Sequence, residues 1–175
     1  RCVSSEAPWA ARSAFEAIAL QPEGGRGEAG AQLAVLGGRL ASGGLSAEVW
    51  LGSLVSREGL SGQNVEEAGD LTIRWRRATA SAAWRPRADF AAAASSELWV
   101  LGGCDETGAP LADVWRSSDG ASWTLVAATA PWGYRVGPSA VALGPLRPHG
   151  SSKPGASDVG LVLFGGYAYA DRGVE

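Results

Sequence analysis

The sequence predicts an all-β protein assembled from a repeated antiparallel unit, and three observations carry that expectation. Four apolar residues in a row end in two glycines three times over: Leu33-Ala34-Val35-Leu36 before Gly37-Gly38, Leu98-Trp99-Val100-Leu101 before Gly102-Gly103, and Leu161-Val162-Leu163-Phe164 before Gly165-Gly166. A Val-Trp pair follows the second glycine at the same distance in the first two copies, as Val49-Trp50 and Val114-Trp115. Ahead of each unit a tryptophan stands three residues before an arginine: Trp9 and Arg12, Trp84 and Arg87, Trp132 and Arg135. A short apolar run bounded by a turn signal is the pattern of a strand buried on both faces. The diglycine lets the chain take positive φ without steric cost and leave the sheet sharply. Independent markers recurring in one order are the signature of a repeat architecture, and they set aside the simpler alternative of a β-sandwich with chance glycine pairs.

The elements follow in order. Residues 1–11 read as the end of a preceding unit and its link. The first unit, 12–83, has strands at 13–20, 31–36, 47–51 and 71–75. A polar insert occupies 21–30, and a second one, 52–69, carries Glu58, Glu66 and Glu67. The second unit, 84–131, has strands at 89–94, 97–101, 113–117 and 122–126. Its Ser118-Asp119-Gly120 is a tight-turn signal between the last two strands. The third unit, 132–175, is incomplete, with strands at 136–143 and 161–164, an insert at 145–158 and a tail loop at 167–172. Antiparallel order places all three inserts on one face, where long loops on a rigid scaffold are inexpensive to lengthen and often bind.

These markers resemble the kelch repeat, in which an arginine opens strand one, Gly-Gly ends strand two, an apolar-aromatic pair lies in strand three and a tryptophan in strand four. The resemblance covers nearly the whole chain and implies a partial kelch-type β-propeller of four-stranded antiparallel blades. It overrules the helix propensity of Ala91-Ala92-Ala93-Ala94, because an innermost blade strand is crowded and wants small side chains. Closed propellers need about four to eight blades and this chain holds about two and a half, so the expectation is a piece of a longer protein. The alternative is that several chains complete one ring.

Candidate chemistry is sparse. The resemblance places Arg12, Arg87 and Arg135 near the channel mouth, where matching arginines of kelch propellers that bind acidic peptides offer a bidentate fork to carboxylates. The bland role for the same residues is to satisfy carbonyls of the neighbouring blade. The eight tryptophans could stack sugars or bases. Yet Trp50, Trp75, Trp115 and Trp123 fall where sheet packs on sheet, Trp9, Trp84 and Trp132 recur with the repeat, and Trp99 reads as core. Residues 117–123 look like the Asp-box turn of sialidase-type propellers, one residue short between Asp119 and Gly120, and that turn is structural. Galactose-oxidase-like copper chemistry needs histidine ligands and a tyrosine–cysteine pair, whereas the one histidine, His149, sits in an insert. No catalytic, cofactor-binding or metal residue is assigned.

Net charge is −3, which gives no footprint for nucleic acid or an anionic membrane. No apolar run approaches a membrane span. Cys2 and Cys104 have neither metal-ligand spacing nor a disulfide framework, and the sequence cannot place them together. The leading expectation is a non-enzymatic scaffold or adaptor that contacts protein partners, among them an acidic peptide or other subunits of a large complex. The alternative is a carbohydrate-active or galactose-oxidase-like propeller whose active residues lie outside this chain. Localisation leans to an intracellular protein, soluble or complex-bound, with secretion left open.

Overall fold

The computed structural model describes residues 7–20, 33–56, 71–143 and 160–167, and the regular elements in them are all strands. In chain order these are β1 (Arg12–Ser13), β2 (Glu16–Ala19), β3 (Leu33–Leu36), β4 (Arg39–Leu40), β5 (Val49–Ser56) and β6 (Leu71–Thr79). There follow β7 (Ala91–Ala94), β8 (Leu98–Leu101), β9 (Val114–Ser117), β10 (Thr124–Ala127), β11 (Val136–Leu143) and β12 (Gly160–Tyr167). The first sheet has the order β2-β3-β5-β6, the second β7-β8-β9-β10, and the third pairs β11 with β12. A minor pair joins β1 to β4, and every pairing is antiparallel. The fold class is all-β.

The apolar runs before the diglycines became β3, β8 and β12, and the Val-Trp pairs open or lie in β5 and β9. The alanine run is β7, not helix. Ala91 and Ala93 belong to one apolar cluster and Ala92 to the other, so the strand is buried on both faces and tertiary packing outweighs intrinsic propensity.

Two expectations need correction. β5 continues to Ser56 and β6 to Thr79, so residues 52–56 belong to a long hairpin instead of an insert. Gly52 makes this possible, because the Trp75 ring lies over it and a Cβ there would come within 2.6 Å of the ring. Likewise β12 does not stop at Gly165-Gly166 but runs to Tyr167, which pairs with Val136. The inserts expected at 21–30 and 145–158, the rest of 52–69 and the tail beyond 167 lie outside the described residues. In the first sheet the antiparallel order puts Ala19, Leu33, Ser56 and Leu71 at one end, so both connections leave from that end.

The three sheets stack in sequence order. One core cluster joins Leu36, Val49 and Leu51 of the first sheet to Ala92, Leu98 and Val100 of the second. The other joins Ala93, Trp99 and Leu101 of the second to Ala140, Leu161 and Leu163 of the third. β7 lies alongside both β2 and β11. Trp99 is core, as expected, at 7% exposure.

The same backbone bonds close both junctions. Gly38 N–H donates to Arg87 O (3.0 Å) across the first, and Gly103 N–H to Arg135 O (2.8 Å) across the second. Asp89 N–H donates to Ala14 O (3.2 Å), and Gly137 N–H to Asp89 O (2.7 Å). Within each unit, Ala82 N–H reaches Ala47 O (2.9 Å) and Ala130 N–H reaches Ala112 O (2.8 Å), which ties the outgoing link to its own sheet. The residue two places after each arginine is left-handed in all three copies: Ala14 at φ 51°, Asp89 at 52° and Gly137 at 67°.

The second glycine of each pair is required by how closely it lies against the entry segment of its own sheet. A Cβ on Gly103, at φ 90°, would stand 2.6 Å from both Ala88 O and Phe90 Cβ, and one on Gly38 would stand 2.6 Å from Phe15 Cβ. Gly103→Ala is therefore expected to destabilise the protein by about 1–3 kcal/mol through strain and displaced neighbours. Gly108→Ala, with nothing within 4 Å but also at positive φ, should cost less. Denaturant melts of the two variants check the difference.

Candidate functional site

Arg87 sits in the link that enters the second sheet, and its side chain is fully buried, at 0% exposure. Nε donates to Arg85 O (3.1 Å) and Nη1 to Gly102 O (2.9 Å). The two terminal nitrogens grip Asp113 bidentately, Nη1 on Oδ1 at 2.7 Å and Nη2 on Oδ2 at 2.8 Å. Trp115 Nε1 donates to the same Asp113 Oδ2 (2.7 Å), and the guanidinium carbon lies 5.7 Å from the centre of the Trp84 ring.

Arg12 repeats the arrangement at the entry to the first sheet, with its side chain 1% exposed. Nε donates to Ala10 O (3.2 Å), Nη1 to Gly37 O (2.9 Å) and Nη2 to Glu48 Oε2 (2.6 Å). Trp50 Nε1 donates to Glu48 Oε2 (3.3 Å). Here an extra cation joins: Arg77 Nη1 donates to Glu48 Oε1 (3.2 Å) and its guanidinium lies 5.7 Å from the Trp50 ring centre.

The electrostatics follow from these contacts. Burial pushes the Asp113 carboxyl up, but the hydrogen bonds and charge of Arg87, helped by Trp115, outweigh it and hold the group below its ordinary 3.8. Glu48 behaves alike: burial raises it, and hydrogen bonds from Arg12, Trp50 and Arg77 bring it below 4.5. Both acids are ionised at neutral pH, and each neutralises a buried arginine.

Arg12 and Arg87 thus meet carboxylates of their own sheets. Arg135 enters the third sheet, where its carbonyl receives Gly103 N–H and its N–H points to Leu111 O (3.4 Å). The acids were not anticipated from the sequence. The signal was present: an acid stands directly before each Val-Trp pair, in Glu48-Val49-Trp50 and Asp113-Val114-Trp115.

Trp50 and Trp75 correct a second expectation. They pack with Trp9, at ring-centre distances of 6.0 Å (Trp9–Trp50) and 4.6 Å (Trp9–Trp75), and belong to neither inter-sheet cluster. Beside them is a hollow of about 750 Å³, lined by Trp9, Trp50, Pro8, Pro86, Glu48 and Arg77 among others. It combines an aromatic wall with a carboxylate and a half-exposed guanidinium.

The remaining polar groups serve turns. Asp119 Oδ1 accepts Ala121 N–H (2.8 Å) and Ser122 N–H (2.7 Å), which hold its carboxyl at about 2. Trp123 Nε1 donates to Gly120 O (3.1 Å) and closes the Asp-box-like turn. Asp105 likewise binds the Thr107 hydroxyl (2.7 Å) and Arg85 (2.8 Å) and is held at about 2. Cys104 is a free, buried thiol, and Cys2 and His149 lie outside the described residues. Among the described residues no group of three or more His, Cys, Asp or Glu is placed to hold a metal, and no helix is long and apolar enough to cross a membrane.

One titratable group departs from the repeat. Glu16 stands in β2 where the second sheet has Ala91, on the side of the strand that also carries Ile18 of the inter-sheet cluster. Burial raises its carboxyl to about 7.

Comparison with known proteins adds little. No family model matches the sequence and no curated protein matches it. A solved structure titled "Structure of YjhT" is similar over 74% of this chain at 12% identity, with a TM-score of 0.36. The chain spans 56% of that structure's length, and a likeness at this level carries no argument.

Two outcomes follow. Asp113→Asn leaves the buried Arg87 charge uncompensated and is expected to cost about 3–5 kcal/mol at pH 7. Because the folded-state carboxyl lies below 3.8, the stability it contributes is present above that value and is lost as pH falls through the folded value. The gap between wild type and variant should therefore narrow in acid, as urea melts at pH 7 and pH 3 would show. Glu16 has the opposite sign: its penalty is absent below 4.5 and complete above about 7. Glu16→Gln should raise the melting temperature at pH 8 and change it little at pH 4.5.

Proposed function

We propose that this chain is a non-enzymatic protein-interaction module, part of a kelch-type propeller that serves as scaffold in a larger assembly. On this reading residues 12–83 and 84–131 each supply a blade and 132–175 an incomplete one, and stacking them provides stiffness. The observation that carries the reading is where polar chemistry goes and where apolar surface is left. The two buried guanidiniums with described partners are consumed in carboxylate pairs and carbonyl contacts within the fold. Meanwhile the outer side of the third sheet exposes Val141 (47%), Leu143 (38%) and Phe164 (56%). Apolar surface gathered on one rigid face marks an interaction site. Partner proteins are engaged by sheet faces, with Arg12 and Arg87 acting beneath them to hold each sheet's entry.

A benzophenone amino acid placed at Ala17, on the outer side of the first sheet, or at Val141 tests this in cells of the source organism. Covalent adducts to a protein chain are expected from at least one position. Adducts from neither position, together with turnover of a glycan or alcohol substrate by the purified protein, would overturn the proposal in favour of an enzyme.

A further inference from the structure

The side of the second sheet that packs on the first is formed by Ala92, Ala94, Val100, Trp115, Trp123 and Trp84. All of these belong to the first core cluster or pack against it. The positions that match them in the first sheet are Ala17, Ala19, Val35, Trp50, Trp75 and Trp9. The residue type is the same at all six places. The ring geometry repeats as well, with Trp9 edge-on to Trp75 at 90° and Trp84 edge-on to Trp123 at 89°. In the second sheet this face is covered by the first sheet. In the first sheet Ala17 and Ala19 are exposed, Trp9, Trp50 and Trp75 are partly exposed, and Val35 is buried at 4% exposure.

The other half of the junction is also duplicated. The first sheet meets the second with Ile18, Leu20, Ala34 and Leu36. The matching places in the third sheet are Val141, Leu143, Val162 and Phe164, where Val141 pairs with Val162 as Ile18 pairs with Ala34. Every one is apolar, and Val141, Leu143 and Phe164 are exposed. One molecule therefore carries both halves of a junction that it builds twice internally, one half on each outer side.

We propose that a second copy of this chain covers these faces, the first sheet of one copy seating on the third sheet of the next. The contact is head-to-tail, and such contacts close into rings when the rotation allows. The inference rests on the interaction-module reading and names its partner. Packing repeats the internal junctions: β2 of the incoming copy lies beside β11, and its Ala17 fits the crowding that Ala92 meets in the existing stack.

Sedimentation velocity on three proteins decides it. Wild type should associate in a concentration-dependent way. Phe164→Glu places a charge on the third-sheet face, and Ala17→Arg places bulk and charge on the first-sheet face. Both positions are exposed in the single chain, and unchanged circular dichroism and melting would show that both variants fold. Each variant alone lacks one half of the junction and should be monomeric. An equimolar mixture retains one intact half on each partner and should form a 1:1 heterodimer. A wild type that stays monomeric across the concentration range overturns the proposal, as does a folded variant that still self-associates or a mixture that fails to pair. If wild type is monomeric while benzophenone at Ala17 or Val141 captures a different protein, the second copy is rejected and the interaction module stands. Monomer without adducts rejects both.

Discussion

The fold depends on how closely one sheet's diglycine approaches the entry strand of the next. At 2.8–3.0 Å the second glycine's N–H reaches the carbonyl of the next arginine, and a methyl group on the first glycine would crowd that same carbonyl, at 3.2 Å from Gly37 to Arg87 O and 2.8 Å from Gly102 to Arg135 O. That distance sets the spacing of the stack. It brings the small residues of β7 between β2 and β11, and it lets apolar side chains of neighbouring sheets interdigitate. The left-handed residue two places after each arginine contributes a second bond across the same gap, so the entry strands are tied to one another along their line. Hydrophobic burial drives the stacking, and these backbone bonds set where it stops.

The arginine clusters answer a problem that close approach creates. The first glycine of each pair turns its carbonyl toward the entry segment of its own sheet, leaving an inward acceptor that needs a donor. Arg12 and Arg87 each place a donor on such an acceptor, Gly37 O and Gly102 O. A buried guanidinium then needs a counter-charge, which the acid ahead of the Val-Trp pair supplies, and the following tryptophan's N–H fills a remaining lone pair on that acid. The net stability of such a cluster against an apolar replacement is modest, whereas loss of one member is expensive. Its main effect is to fix register between the strand-three segment and the entry segment.

Much of this was legible in the sequence because the strand signals are short-range. An apolar four ended by two glycines specifies strand and exit together, and β3 and β8 fall on those runs; β7 was legible once its neighbours were, since only a doubly covered strand needs four alanines. The misses all concern relations across distance. Glu48 and Asp113 look like ordinary polar residues at a strand entry until the topology brings them to Arg12 and Arg87. Trp50 and Trp115 each follow Ala, an acid and Val in sequence, and only the place of their sheets in the stack decides which is covered. The long β5–β6 hairpin depended on Trp75 lying over Gly52, twenty-three residues earlier in sequence.

Each arginine's counter-charge comes from its own sheet. Arg12 pairs with Glu48 and Arg87 with Asp113, while the contacts that cross between sheets are backbone bonds, apolar packing and the bond from Leu45 N–H to Glu106 Oε1 (3.4 Å). A unit of this kind can be copied in tandem, or excised, without stranding an ion in the interior. Lengthening such an array demands no simultaneous change in a distant partner, so growth by gene duplication meets no electrostatic barrier at any step.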